Sequence, residues 1–169
     1  MANSRAGQPA ADDEIDALTD AVLTASRLLV AISARSIAAV NESVSLPQFR
    51  LLVVLSARGQ QKVTELAEAL GVNPSTATRA IDRLLEAGLV DRRTNPQSRR
   101  EVRISLTGTG RRVVREVTRH RREEIAEIVA RMPRTHQRGM VRALAAFSQA
   151  GGEPPAAASP YEAGDMDWS

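Results

Sequence analysis

Cysteine is absent from the 169-residue chain, and histidine occurs only twice, as His120 and His136. Without cysteine the chain forms no disulfide, no thiolate metal cluster and no thiol redox switch. The two histidines lack the spacing of metal ligands. The sequence therefore predicts neither a metal site nor a cofactor.

Long apolar runs are also missing. The run at residues 51–55 is far shorter than the roughly 20 residues that a membrane-spanning helix needs, and the N-terminus lacks the basic and then apolar pattern of an export signal. The composition, 43% hydrophobic and 25% charged, is that of one soluble domain. We therefore expect a cytoplasmic protein with no membrane partner.

Lysine is nearly absent, since Lys62 stands alone against 22 arginines. Residues 91–142 hold 15 arginines and 6 acids, a net charge of +9, while the rest of the chain holds 8 basic and 14 acidic residues, a net charge of −6. Such asymmetry favours a polyanionic partner such as nucleic acid. A solvated arginine-rich surface is the alternative, and charge alone does not decide between them.

The first half of the chain has a helical pattern. Apolar residues recur at helical spacing over about residues 12–40, which predicts one long helix. A second helix is expected over residues 46–58, with Ser45 as N-cap and Gln48 closing a capping box. Residues 1–11 and the acidic tail 150–169 are expected to be disordered. The apolar positions of the first helix are Ile15, Leu18, Val22, Leu29, Ile32, Ile37 and Val40.

Two short helices separated by a tight turn follow. The pattern predicts a third helix that Thr64 starts and Gly71 ends. Asn73 then caps a fourth helix, with Pro74 at its first position. This is the helix-turn-helix arrangement, whose second helix enters the DNA major groove.

The fourth helix is amphipathic. Four apolar residues are expected to face inward: Ala77, Ile81, Leu84 and Leu85. The outer face is polar: Ser75, Thr76, Thr78, Arg79, Asp82 and Arg83. Hydroxyls at a helix start can donate to phosphates, and Arg79 is long enough to reach a guanine edge. Alternatively, serine and threonine stand there only because they suit helix starts.

A β-hairpin is expected next. "GLVDRRT" and "REVRISLT" have strand patterns, and "NPQS" between them is a turn. Val102, Ile104 and Leu106 should face the core, while Glu101, Arg103 and Ser105 face outward. A hairpin after a helix-turn-helix is the wing of a winged helix, and its arginines can meet phosphates or the minor groove. A hairpin tip charged only for solubility is the alternative.

The segment "TELAEALGVNPSTATRAIDRLLEAGLVDRR", followed by "NPQSRREVRISLTGTG", resembles the MarR family of bacterial transcription regulators. The resemblance implies that the recognition helix is residues 74–87 and that Arg99 and Arg100 at the wing tip read the minor groove or backbone. The family usually has an Asp-x-Arg motif in the wing, whereas Ser98 stands here in the place of the acid.

Two further helices follow the hairpin. Thr107 is expected to cap a helix reaching about Met132, and Pro133 should separate it from a last helix over about residues 135–149. An apolar seam interrupted by Arg121 indicates helix packing: Val114, Val117, Ile125, Ile128 and Met132. The resemblance implies that the first helix and the last two interlock in a homodimer.

We therefore expect a mainly α (α+β) winged helix-turn-helix protein with long N- and C-terminal dimerisation helices, spanning residues 12–149 with a DNA-binding lobe at about 46–106. The predicted function is a homodimeric, non-enzymatic regulator, most simply a repressor, that binds double-stranded DNA at a near-palindromic operator. The alternative is a winged-helix module that binds another protein. The predicted DNA contacts are Asn73, Ser75, Thr76, Thr78, Arg79, Arg83, Arg99 and Arg100. A small aromatic or acidic effector is expected near Arg27, Arg35, Phe49 and His120.

Overall fold

The computed structural model of the protein describes residues 8–95 and 98–152, with the side chains of 12–93 and 102–152. The order of elements is α1 (Gln8–Val40), α2 (Leu46–Arg58), α3 (Val63–Leu70), α4 (Pro74–Glu86), β1 (Val90–Asn95), β2 (Ser98–Leu106), α5 (Gly108–Ala130) and α6 (Arg134–Ala150). The disorder expected for residues 1–7 and 153–169 lies outside this description. The predicted class, a mainly helical fold with one hairpin, is confirmed.

The start of α1 differs from the prediction. The helix begins at Gln8, so residues 8–11, expected to be disordered, are helical. Pro9 is tolerated there because the first turn of a helix needs no hydrogen bond from its backbone nitrogen. Ala10 and Ala11 follow, and alanine is the strongest helix former.

The caps of the next two helices illustrate one correct and one wrong prediction. At the start of α2 the Ser45 amide donates to Gln48 Oε1 at 2.8 Å, which completes the expected capping box. Helix α3 starts at Val63 rather than at Thr64, with Lys62 as N-cap. The reason is Glu65, whose carboxylate accepts the Lys62 amide at 2.7 Å and so satisfies the helix end earlier in the chain.

The hydrophobic core lies where α2, α3, α4, the hairpin and the first turns of α5 meet. Its most buried side chains include Leu51, Leu66, Ile81, Ile104 and Val117, which have no exposed area. Each comes from a different element, so removing any one of them from the core would loosen contacts between elements. This core fixes the position of α4 against the hairpin.

Strands β1 and β2 pair antiparallel from Val90 opposite Leu106 to Asn95 opposite Ser98, with an irregularity after Thr94. Gln61 adds a bridge to the other edge of β2, because its amide and carbonyl both bond with Ile104, at 3.0 and 2.8 Å. The hairpin is thereby anchored at its base.

The strict alternation expected for β2 is wrong at two positions. Val102 is 46% exposed, although it was expected inside, because the core lies under the base of the hairpin. Ser105 was expected outside but is buried, because the end of α2 and Arg111 of α5 lie beside it. Alternation marks the faces of a strand, whereas the neighbouring elements decide which face is covered.

Helix α5 is shorter than predicted, and helix α6 is longer. Helix α5 ends at Ala130 rather than near Met132, and α6 begins at Arg134 after Pro133 and reaches Ala150. The Gln137 side chain donates to the Val129 and Met132 carbonyls, both at 2.9 Å, and so satisfies the end of α5.

The chain divides at Arg122 into two compact units. Within residues 8–95 and 98–152, no helix has the length and apolar character needed to cross a membrane.

Candidate nucleic-acid interface

Helices α3 and α4 are joined by a turn of three residues, Gly71, Val72 and Asn73. Gly71 has φ 65° and ψ 34°, a left-handed conformation that glycine adopts without steric cost. Its amide donates to the Ala67 and Glu68 carbonyls, and so satisfies the end of α3. The sharp turn lets α4 start at once in a new direction, as a helix-turn-helix requires.

The start of α4 is held by its own polar side chains. Asn73 Oδ1 accepts the Thr76 amide at 2.9 Å and the Ser75 hydroxyl at 2.7 Å. The Thr78 hydroxyl donates to the Pro74 carbonyl at 2.9 Å. Asn73, Ser75, Thr76 and Thr78 were predicted to contact DNA, and in the structure each also has a hydrogen bond within this segment. The Asn73 amide nitrogen and the Ser75 and Thr78 oxygen lone pairs retain further hydrogen-bonding capacity.

Helix α4 separates its two faces as the sequence predicts. Ala77, Ile81 and Leu84 are buried in the core, with at most 1% exposure. Arg79 and Arg83 lie on the exposed face. They are four residues apart and so stand one turn from each other, presenting two guanidinium groups along the same side of the helix.

An ion pair joins α4 to the hairpin. Arg92 Nη2 of β1 donates to Asp82 Oδ1 of α4 at 2.6 Å, and both side chains are about half exposed. The sequence did not predict this pair, because two residues on different elements cannot be matched from spacing alone. The alternating pattern of β1 could have indicated it, since Arg92 falls on the same strand face as the buried Val90.

The wing arginines are placed only by their backbone. Arg99 and Arg100 belong to β2, beyond the base of the hairpin, and their side chains lie outside the described part of the structure, as does that of Ser98. Arg93 and Arg103 are directly opposed on the two strands. The described portion of the hairpin therefore already carries a concentration of positive charge.

The residues predicted for an effector lie on three helices. Arg27 and Arg35 are exposed on α1, and Arg27 contacts the Thr24 hydroxyl at 3.3 Å. Phe49 of α2 is 2% exposed and belongs to the core, so it offers no open ring face. His120 of α5 is half-buried, with its Nε2 at 3.3 Å from Arg119 Nη2. Among residues 8–95 and 98–152, no cluster of three His, Asp or Glu side chains is arranged to hold a metal.

Comparisons with known proteins agree with this geometry. The model of the MarR family matches residues 44–102, the segment from α2 to the hairpin. The HTH-type transcriptional regulator Mb0904 of Mycobacterium bovis is 33% identical over 105 residues, 62% of this chain and 73% of that protein. The repressor MdtR of Bacillus subtilis is 37% identical over 70 residues, 41% of this chain and 45% of MdtR. The matched stretches span between 45% and 73% of such relatives.

Solved structures extend the likeness to most of the chain. The crystal structure of RV1404 from Mycobacterium tuberculosis superposes with a TM-score of 0.78 and 57% identity, covering 84% of this chain and 97% of that one. A capped α4 with a polar outer face, an anchored hairpin beside it and long flanking helices define a winged-helix DNA-binding regulator. The chain belongs to the MarR family, whose members are non-enzymatic transcription regulators.

Proposed function

We propose that the protein is a homodimeric, sequence-specific repressor that binds a near-palindromic operator through α4 and the wing. The observation that carries the proposal is the exposed face of α4, where Arg79 and Arg83 stand beside a hairpin that an ion pair holds to the same helix. Arginine is the side chain that most often reads guanine in the major groove. The proposed contacts are those expected from the sequence: Asn73, Ser75, Thr76, Thr78, Arg79, Arg83, Arg99 and Arg100.

Repression is proposed because the chain is similar to MdtR, a protein named as a repressor. Footprinting of the protein on the DNA that flanks its own gene tests the whole proposal. We expect two protected half-sites about 10 base pairs apart from centre to centre, since a two-fold dimer presents both recognition helices to one face of DNA. Reporter expression that falls when the protein is present would complete the test.

The alternative is a winged-helix module that binds another protein. Gel shifts on genomic fragments with competitor DNA separate the two functions, because specific binding is retained against competitor and weakens with salt. A protein that retains no fragment, and is recovered instead with a stable protein partner, would refute the proposed function.

The proposed dimer rests on apolar side chains that the single chain leaves exposed. On α1 these include Ile15 and Leu18, about 60% exposed, and on α6 Val141, Leu144 and Phe147, each at least 50% exposed. The three residues of α6 recur every third position and form one stripe. An exposed apolar stripe is typical of an interface, and the family resemblance supports a second copy of the chain as its occupant.

Leu144→Ala should weaken the dimer. Leu144 is 50% exposed in the single chain, so about half of its side chain is available for burial in the dimer. Losing that burial costs about 1 kcal/mol in each subunit, so the dimer dissociation constant should rise roughly thirtyfold. Sedimentation equilibrium measures this constant. Arg142→Ala is the matched control, because Arg142 lies on the opposite face of α6. Equal dissociation constants for Leu144→Ala and the unmodified protein would show that this stripe is not the interface.

The Asp82–Arg92 ion pair should support DNA binding by holding the wing beside α4. Asp82→Asn removes a negative charge near DNA, and charge alone would raise affinity. We nevertheless expect about a threefold loss of affinity, because an exposed pair is worth up to about 1 kcal/mol. Fluorescence anisotropy with an operator duplex measures the change.

Glu86→Gln is the control for Asp82→Asn, since Glu86 is an exposed acid one turn further along α4. It should leave the affinity unchanged or slightly higher. If Asp82→Asn raised the affinity as much as Glu86→Gln, the ion pair would have no role in positioning the wing.

Release of the repressor by a small acidic or hydrophobic effector completes the proposal. The exposed arginines of α1, Arg27 and Arg35, have the charge to attract a carboxylate, and His120 offers a ring nitrogen. A ligand acts by favouring the dimer conformation that does not fit DNA. Thermal-shift and DNA-release measurements with salicylate-like acids test this. If millimolar ligand changes neither the stability nor the DNA binding, the effector hypothesis is contradicted.

A further inference from the structure

Thr107 lies between β2 and α5, and its side chain bonds in two directions. The single hydroxyl proton is shared between the Gly88 and Leu89 carbonyls, at 2.8 and 3.1 Å. The same oxygen accepts the Gly110 amide at 3.0 Å, which is the bond of an N-cap to the first turn of its helix. One hydroxyl group therefore bonds both to the residues that follow α4 and to the start of α5.

The Gly88 and Leu89 carbonyls belong to the turn that ends α4. The Gly88 amide donates to the Leu85 carbonyl at 2.9 Å. The Leu89 amide donates to the Leu84 carbonyl, also at 2.9 Å. Leu84 and Leu89 are both 1% exposed, so packing in the core holds this turn against the last residues of α4. A group that bonds to the two carbonyls therefore holds the end of α4 itself.

Apolar packing alone does not set the angle between α4 and α5. Both helices contribute side chains to one core, but apolar attraction is non-directional, whereas a hydrogen bond depends on direction. The backbones also approach closely here, since the Thr107 amide donates to the Leu89 carbonyl at 3.1 Å and a Cβ on Gly110 would overlap that carbonyl. The bonds of Thr107 therefore orient α4 at the place where the chain after α4 meets α5.

We propose that Thr107 is a positioning residue for DNA binding, whose hydroxyl fixes the orientation of α4 relative to α5 and thereby the separation of the two recognition helices in the dimer. This role rests on the proposed homodimeric, DNA-binding function. It adds to that function a residue that acts through α4 and does not itself touch DNA.

A small rotation at this joint has a large effect at the other end of α4. The helix has 13 residues. It is therefore about 20 Å long, and a tilt of about 10° at its end would displace its start by about 3.4 Å, the rise of one base pair. Because a dimer must place two recognition helices one helical turn of DNA apart, such a displacement is enough to misplace them.

Three substitutions separate the joint from the cap. Thr107→Val has nearly the same shape but no hydroxyl, so it removes both. Thr107→Asp keeps an acceptor for the Gly110 amide, since aspartate is a preferred N-cap, but its carboxylate has no proton to donate to the two carbonyls. Thr107→Ser keeps both. Thr109→Val is the matched control, because Thr109 is exposed in the same turn and its hydroxyl accepts from Arg112 of the same helix.

Pulsed electron paramagnetic resonance measures the orientation of α4 without DNA. The chain has no cysteine, so Glu86→Cys at the exposed end of α4 gives one labelling site, and a full-length dimer then carries one pair of nitroxide labels. We expect a narrow distribution of label distances with Thr107 intact, in Thr107→Ser and in Thr109→Val. In Thr107→Val and Thr107→Asp the distribution should be at least about twofold broader, because α4 then samples several orientations.

A duplex that carries the footprinted operator measures the consequence for DNA binding. By fluorescence anisotropy, Thr107→Val should bind it about fivefold more weakly, because only the dimers with the correct spacing are competent to bind. Thr107→Ser should bind as the unmodified protein does. When one base pair is added between the half-sites, Thr107→Val should lose less affinity than the unmodified protein, since a mobile α4 tolerates the altered spacing.

The label distances decide whether Thr107 positions α4 or only stabilises the fold. A distribution as narrow in Thr107→Val as in Thr109→Val would overturn the positioning role, even if Thr107→Val were less stable. Broadening in Thr107→Val but not in Thr107→Asp would assign the effect to the cap of α5 and would overturn it as well. If Thr107→Val does not fold, Thr107→Asp decides, because it retains the cap. A label pair that gives no distance in any variant would contradict the proposed dimer, and with it this role of Thr107.

Discussion

Arg79→Ala should lower operator affinity between about fivefold and about 150-fold for each half-site, a cost of about 1 to 3 kcal/mol. Arg79 lies on the exposed face of α4, while Ala77 and Ile81 on either side of it are fully buried. The backbone at this position is therefore fixed by the core, and the guanidinium is carried outward on a rigid helix. We expect the variant to lose its preference for one base pair in each half-site. Selection of binding sites from a random duplex library measures that preference.

The comparison with Arg100→Ala sharpens this prediction. Phosphate contacts position a protein on DNA, whereas contacts to base edges specify the sequence. Arg100→Ala should weaken binding to all duplexes and reduce the salt dependence by about one phosphate contact per subunit. The two substitutions should therefore impair DNA binding in different ways: Arg79→Ala in sequence preference and Arg100→Ala in overall affinity. If Arg79→Ala weakened binding uniformly and kept the sequence preference, Arg79 would be a phosphate contact and not a base contact.

Gly110→Ala should destabilise the protein by about 3 kcal/mol or more, at the upper end of what overpacking costs. A Cβ on Gly110 would stand 2.0 Å from the Leu89 carbonyl oxygen and 3.2 Å from Leu106 Cδ2. The same carbonyl accepts the Thr107 amide at 3.1 Å, so moving it would also disturb the start of α5. Urea denaturation measures the free energy of unfolding.

Gly108→Ala is the matched control for Gly110→Ala. Gly108 lies two residues earlier in the same first turn of α5, and a Cβ there has no atom within 4 Å. Because alanine also favours helix, we expect Gly108→Ala to change the free energy of unfolding by less than about 1 kcal/mol. A Gly110→Ala protein as stable as Gly108→Ala would show that α5 does not pack closely on the carbonyl of Leu89.

Much of the helix-turn-helix could be predicted because its signals are local. The capping box of Ser45 and Gln48, the Asn73 cap with Pro74 after it and the stop at Gly71 each depend on a few neighbouring residues. The inward face of α4 follows from helical spacing in the same way. The start of α3 was predicted at Thr64 but lies at Val63. The two positions are adjacent, and the bond from the Lys62 amide to the Glu65 carboxylate favours the earlier one.

The candidate site was predicted less completely than the fold. Sequence spacing identified Arg79 and Arg83 as exposed residues of α4, and the structure agrees. It did not identify Arg92, which bonds to Asp82 across two elements. Its proposal of Phe49 as an effector residue stays a prediction, and the ring is buried among core side chains. A pattern gives the face of a helix on which a residue lies, but not what covers that face.

By itself, then, the sequence determined the order and type of the elements, the polar face of α4 and the concentration of arginine around the wing. Only the tertiary structure decided that Ser105 is buried while Val102 is exposed, that Asp82 pairs with Arg92, and that Thr107 bonds to the turn that follows α4. The reason is physical. Caps and periodicity arise from hydrogen bonds and side-chain directions within one element, whereas burial and ion pairing depend on which residues of other elements come within a few ångströms, and that is fixed only when the core of α2, α3, α4 and the hairpin has packed.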